Sequence, residues 1–153
     1  MPEAVALHAQ MYNAFAAGDR VSLRKLCTDG LFDTFSTRIG NRARGERVQW
    51  ELVKYNKRSK LVSDRAARLP VDGMAMRQAV VRISSRQKLT RWRRVQGREE
   101  IIEGTGKEKD VVEYVVVQRL WKNWEPGPWM VWGTTKEVTL DDVDEWKRKE
   151  KAV

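Results

Sequence analysis

A small α+β cone, helices first and strands after, is the fold class this sequence predicts. Three observations carry the prediction. Met11 to Thr28 reads as a helix that stops at Gly18, with a second helix begun at once by Asp19. From about Arg47 onward the apolar residues recur with a period of two instead of the helical spacing. The richest run of valines and aromatics, Val111 to Trp121, follows late in the chain.

Each element can be justified in order. Pro2 suits a first helical turn, and Val5, His8, Met11, Tyr12 and Phe15 follow at helical spacing. Gly18 can take the left-handed conformation that ends a helix. Asp19 is a good N-cap for a short helix burying Leu23, Leu26 and Cys27. Thr28 is expected to cap a third, with Leu31, Phe32, Phe35 and Ile39 on one side. Gly40 and Gly45 then loosen the chain among arginines, closing a helical part over 1–45.

The sheet is expected over 46–138. Val48, Trp50 and Leu52 alternate with Gln49 and Glu51, as a half-buried strand requires. A weaker run covers Leu61–Leu69, and Pro70 with Asp72-Gly73 marks a turn. Met76–Trp92 reads as a long strand with Val81 and Ile83 inward and Arg82, Ser84 and Arg86 outward. Gly104-Thr105-Gly106 reads as a hairpin loop, which would pair Arg98–Glu103 with Val111–Trp121. Asn123–Pro128 is a turn, and Trp129–Trp132 starts the last strand. Thr139–Asp142 has capping-box spacing for a short terminal helix over 139–150. With no repeat, low-complexity tract or linker, the 153 residues read as a single domain.

Net charge is +9, and it is uneven: Arg38 to Arg98 holds 18 Lys/Arg against 4 Asp/Glu. Such segregation points to a basic face and an anionic partner, either nucleic acid or an anionic membrane surface. One cysteine and one histidine exclude an intramolecular disulfide framework and the usual zinc clusters. The lone cysteine also suits a reducing compartment. No apolar run approaches the ~20 residues that span a bilayer. No signal peptide is legible, since Met1 leads straight into a helix.

Catalytic constellations are absent from the pattern. His8 lies on an apolar helix stripe, where a packed or surface role explains it better than proton transfer. Asp19 is explained by capping, and Cys27 by a helix end facing the core. Asp33 and Asp64 have no nucleophile or base beside them in the sequence. Gly104-Thr-Gly106 lacks the spacing of a phosphate-cradling loop. No enzyme activity, metal or cofactor is expected.

Binding is better supported. Arg38, Arg42, Arg44 and Arg47 fall at a helix end and loop, and Arg82, Arg86, Arg93 and Arg94 along a sheet face or rim. Guanidinium forks suit phosphate. The expected RNA- or lipid-phosphate contacts are Arg42, Arg44, Arg47, Arg82, Arg86, Arg91, Arg93 and Arg94. Trp92, inside Arg91-Trp-Arg93-Arg94, is the candidate for stacking on an unpaired base. Trp50, Trp121, Trp129 and Trp132 read as core or sheet-surface residues, and Trp124 as a residue that rests on a partner or at a headgroup layer.

Tyr12-Asn-Ala-Phe-Ala-Ala-Gly-Asp19, Leu23-Arg-Lys-Leu-Cys-Thr28 and Trp129-Met-Val-Trp-Gly-Thr134 resemble the C-terminal domain of the mitochondrial import-motor tether. That domain is shared with the mitochondrial large-subunit ribosomal protein of the L-forty-five type and its fungal inner-membrane ribosome receptor relatives. The resemblance runs from about Val5 to Val138 and implies a nuclear-transport-factor-two-like cone of helices on a curved antiparallel sheet. It also implies a non-enzymatic component of the mitochondrial large ribosomal subunit near the polypeptide exit. Such a protein sits in the matrix, peripheral to the inner membrane. Its expected partners are ribosomal RNA, neighbouring ribosomal proteins, and anionic inner-membrane lipid or insertase machinery, with no small-molecule substrate. The alternative is a peripheral inner-membrane adaptor of the protein import motor; a third reading is a small-molecule enzyme with a pocket in its cone.

Overall fold

The computed structural model describes residues 1–136 of the chain, so the expected terminal helix over 139–150 lies outside the described residues. Three helices come first: α1 (Pro2–Ala17), α2 (Arg20–Leu26) and α3 (Asp29–Gly40). The corner between α1 and α2 forms as its residues dictate. Gly18 takes the left-handed conformation (φ 71°, ψ 24°), and its N–H reaches the carbonyls of Ala14 and Phe15. Asp19 then accepts from the Ser22 backbone N–H at 3.1 Å and the Ser22 hydroxyl at 2.6 Å. Thr28 stands at the start of α3 as expected, but its side chain makes no capping hydrogen bond. Its backbone N–H is drawn to the Val131 carbonyl at 3.0 Å instead, which ties the helices to the last strand.

The strands are β1 (Arg47–Tyr55), β2 (Lys60–Arg68), β3 (Ala75–Val95), β4 (Arg98–Ile101), β5 (Glu108–Lys122), β6 (Glu125–Pro126) and β7 (Met130–Lys136). β3, 21 residues long, is the spine. Along one side of it run β2, against Ala75–Arg82, and then β1, against Ser85–Trp92. Along the other run β5, against Ala75–Lys88, and β4, against Trp92–Val95. β7 pairs outside β5; the pairings between these strands are all antiparallel, and a single parallel bridge joins Val131 of β7 to Cys27. The flanking chain on each side is thus one long path broken once, at 56–59 and at 102–107. Breaks and bulges of this kind bend a sheet, and the helices fill the hollow. The result is the α+β cone of the nuclear-transport-factor-two shape.

One pairing differs from expectation. β4 pairs with β3 and not with Val111–Trp121, because the chain reverses at Gln96-Gly97. Both residues have positive φ (49° and 78°), the two-residue geometry whose twist matches a hairpin. Gly104 and Gly106 serve the break instead, where the Gly106 N–H bonds to the Leu89 carbonyl at 2.8 Å. Ser84, expected outward, lies on the face opposite Val81 and Ile83 but is covered there, where the Asn56 N–H bonds to its carbonyl at 2.9 Å. The last strand begins one residue later than expected, at Met130.

The core sits on the concave face. Ala79, Val81, Ile83, Val115, Val117 and Val131 meet Ala4, Met11 and Ala14 of α1, Leu23 and Cys27 from α2 and its end, and Phe35 of α3. Leu31, Phe32 and Ile39 pack against the same cluster, as the stripe on α3 predicts.

Candidate functional site

The α3–β1 loop and the far end of β3 form a basic corner. Gly45 lies so near β3 that a Cβ built on it would stand 3.4 Å from the Arg94 Cβ. Its positive φ of 80° and this close approach both suit glycine. The packing brings Arg42, Arg44, Arg47, Arg91, Trp92, Arg93 and Arg94 to one end of the molecule, while Arg82 and Arg86 stay behind. Arg86 is eight residues back along the strand from Arg94, roughly 27 Å at strand rise.

The corner arginines divide by what already holds them. Arg42 donates to the Ala16 carbonyl at 3.1 Å and to that of Phe15 at 2.5 Å, satisfying groups at the end of α1. Its guanidinium stands 4.9 Å from the Phe15 ring centroid, and burial pulls its pKa down from the usual arginine value. Arg91 grips Glu46 through Nε at 2.7 Å and through Nη2. That bond holds the Glu46 carboxyl below the usual carboxylate range. Arg47 lies over the Trp92 ring, 3.7 Å from its centroid, and donates twice to one Glu99 carboxylate oxygen. The half-buried Trp92 is therefore already stacked by the chain's own cation; a nucleic-acid base could take that face only if Arg47 swung away. Arg44, Arg93 and Arg94 are exposed and have no ion-pair partner among the described residues.

On the convex face Arg86 is neutralised by Asp110 at 3.0 Å and Glu108 at 3.6 Å. Arg82, half-buried, lies opposite Lys60 on one side and Tyr114 on the other. Trp50 is buried, Trp132 lies on the sheet surface, and Trp124 is exposed at a hairpin tip with Arg68 over its ring.

Inside the cone lies a polar cluster that the sequence left unpaired. The Glu113 carboxylate accepts from the Tyr12 hydroxyl at 2.7 Å and the Gln87 amide at 2.7 Å, with His8 Nε2 at 3.2 Å. Tyr12 stacks on Trp50, whose indole N–H donates to Gln87 at 3.0 Å. Burial opposes the charge on Glu113, yet the hydrogen bonds outweigh it and its pKa falls below the usual value. Tyr12 is pushed up by burial and by that carboxylate. His8 Nδ1 is buried without a partner among the described residues, so the least costly tautomer carries its proton on Nε2, toward Glu113. A cavity of about 220 Å³ opens beside the cluster, lined by Tyr12, Trp50, Gln87 and Glu113. With three donors on its carboxylate, Glu113 is committed to holding α1 on the sheet and is poorly placed to act as a base.

Other chemistry is equally quiet. Burial pushes the Cys27 thiol up to about 11, so it is no nucleophile at neutral pH. Among the described residues no group of three or more His, Cys, Asp or Glu could hold a metal ion. No described helix is long and apolar enough to cross a membrane.

Sequence reasoning passed over one further surface, the segment between Glu51 and Asp64. It carries Lys54, Lys57, Arg58 and Lys60 with no acid, and Val53, Tyr55, Leu61 and Val62 are all exposed. The signal was available as a run of cations broken by apolar residues out of register with the strand alternation.

Comparison with known proteins adds three findings. A family model described as MBA1-like protein matches residues 1–153. No curated protein matches the chain. Among solved structures, the crystal structure of the intermembrane space region of chloroplast protein ARC6 is similar at 10% identity, covering 89% of this chain and 92% of that one, with a TM-score of 0.49.

Proposed function

From the premise that the chain belongs to the MBA1-like family of fungal mitochondrial inner-membrane ribosome receptors, we propose that it docks the mitochondrial large ribosomal subunit through its basic corner. Membership makes the protein membrane-associated and non-enzymatic. It therefore favours an adaptor at the membrane over a resident constituent of the subunit, which had been the leading expectation. The role at the polypeptide exit, contact with ribosomal RNA and attachment from the matrix side belong to the proposal.

The observation that carries it is that Arg44, Arg93 and Arg94 stand at one end of the molecule, exposed and without ion-pair partners among the described residues, Arg93 and Arg94 on opposite faces of β3. Cations not consumed by the fold are the ones free to displace counterions from RNA phosphate. Arg42, Arg47 and Arg91 support the corner from beneath, each tied to a carbonyl or a carboxylate. Trp92 serves as the platform that positions Arg47.

The test is co-sedimentation of the full chain with mitochondrial large subunits at moderate salt. The triple variant Arg44→Glu/Arg93→Glu/Arg94→Glu should leave the ribosomal fraction, while Arg86→Gln should stay in it. A triple variant that travels with the subunit as the wild type does would sink the proposal. Recovery of import chaperones without ribosomal proteins in a pull-down would favour the import-motor adaptor.

A further inference from the structure

We propose that the broken outer edge of the sheet, Val53 to Ser63, is the surface that lies on an anionic lipid bilayer. The inference rests on the inner-membrane association of the family and assigns that association to particular residues. The pairing of β1 with β3 slips between Leu52 and Lys54, and that of β2 with β3 between Leu61 and Ser63. Val53 and Val62 are thus the extra residues of two bulges that bracket the 56–59 break. Bulges re-aim side chains, and here both valines point to solvent, 38% and 51% exposed. Tyr55 and Leu61 beside them are 44% and 46% exposed. Between and around these four stand Lys54, Lys57, Arg58 and Lys60, all exposed.

A competing explanation must be weighed. Lysines and bulges on an edge strand prevent strand-to-strand aggregation, so they would occur here without any partner. That account explains the cations and the bulges. It does not explain four large apolar side chains left in water on the same short segment, which an edge protected only against aggregation would avoid. Apolar residues interleaved with cations, one of them a tyrosine, are what a headgroup layer accommodates: the apolar parts enter the acyl boundary and the cations stay at the phosphates.

Charge separates this edge from the other exposed surfaces. The basic corner contains Glu46, Glu99 and Glu100, and the tip that exposes Trp124 and Val71 includes Asp72 and Glu125. The edge segment itself has no acid between Glu51 and Asp64; the one carboxylate seen to reach it, Asp110, accepts from the Asn56 amide at 2.9 Å and is already paired with Arg86. An anionic bilayer is therefore complementary to the edge as a whole, whereas RNA offers nothing to the exposed valines and leucine.

Flotation of the full chain with vesicles tests this, using phosphatidylcholine alone and phosphatidylcholine mixed with phosphatidylglycerol. Wild type should float with the anionic vesicles only. Reversing the four cations (Lys54→Glu/Lys57→Glu/Arg58→Glu/Lys60→Glu) should lower the partition coefficient by at least about 100-fold, since each cation near such a surface contributes severalfold. Tyr55→Ser/Leu61→Ser/Val62→Ser should lower it while leaving the initial electrostatic encounter intact. A Ser59→Cys variant carrying an environment-sensitive dye should shift its emission to the blue on anionic vesicles, and buried Cys27 will not compete for the label. Both variant sets should still co-sediment with large subunits, so failure here is distinguishable from failure of the ribosome reading. Undiminished flotation of both sets would overturn the inference, as would loss of ribosome binding with flotation intact, or loss of flotation in Trp124→Ser alone.

Discussion

Glu113 shows how much one side chain can hold in place. Its carboxylate joins β5 to Tyr12 and His8 on α1 and to Gln87 on β3. Glu113→Ala would take the acceptor from buried His8 and half-buried Tyr12 and one of two acceptors from the Gln87 amide, and urea denaturation should show a loss of about 3–5 kcal/mol. The pH dependence follows from the direction of its shift. Its pKa is lowered in the folded state, so the stability it contributes is complete above the unfolded value of about 4.3 and is lost as pH falls through the lower folded value. Urea melts across the acid range should show a flatter acid limb for Glu113→Gln than for wild type. An identical limb would mean that the carboxylate is not charged inside the cone. His8 was legible from its place on the helix stripe as a packed or surface residue rather than a catalyst, and the fold packs it. Its partner was not, because 105 residues separate the two and no pattern in the chain connects them.

At the scale of elements, the α1–α2 corner was readable because its determinants are local. Gly18 supplies a conformation that other residues resist, and Asp19 caps the turn that follows. The β3–β4 hairpin was not readable. Its turn uses Gln96, not a residue that advertises positive φ, while Gly104 and Gly106 advertise it more loudly a few residues later. The α1 terminus makes a further point. Arg42 donates to the last carbonyls of that helix from 26 and 27 residues away. Arg42→Ala should therefore cost about 1–2 kcal/mol of folding stability, read by denaturation. It should reduce ribosome binding less than Arg93→Ala or Arg94→Ala. A stable Arg42→Ala protein with the larger binding defect would reverse the roles given to these residues. Within the corner, the abundance of arginine was plain from the sequence. Which arginines are consumed was not, because Glu46 and Glu99 reach Arg91 and Arg47 across separations of 45 and 52 residues.

For the whole molecule the distribution of charge matters more than its total. The fold spends several cations on its own carboxylates and carbonyls, and among the described residues it leaves exposed cations without ion pairs both at the corner and along the edge. Binding to ribosomal RNA through Arg44, Arg93 and Arg94 should weaken with salt, with a log–log slope of about −2 to −3 for three phosphate contacts. Each arginine removed should flatten that slope by about 1, and this can be followed by sedimentation across a salt series. A slope indifferent to these residues would move the contact elsewhere on the surface.

The length of β3 carries one more consequence. The strand holds Arg93 and Arg94 near its end and runs beside Tyr55 and Lys60 in its middle, eight to twelve residues away. A load applied at one surface would thus travel to the other along one unbroken backbone, the breaks at 56–59 and 102–107 falling in its neighbours beside residues 83–84 and 89–91 and not in β3 itself. With a ribosome and a bilayer docked as proposed, such a part would act as a strut, fixing a standoff distance between two large bodies and resisting their shearing past one another.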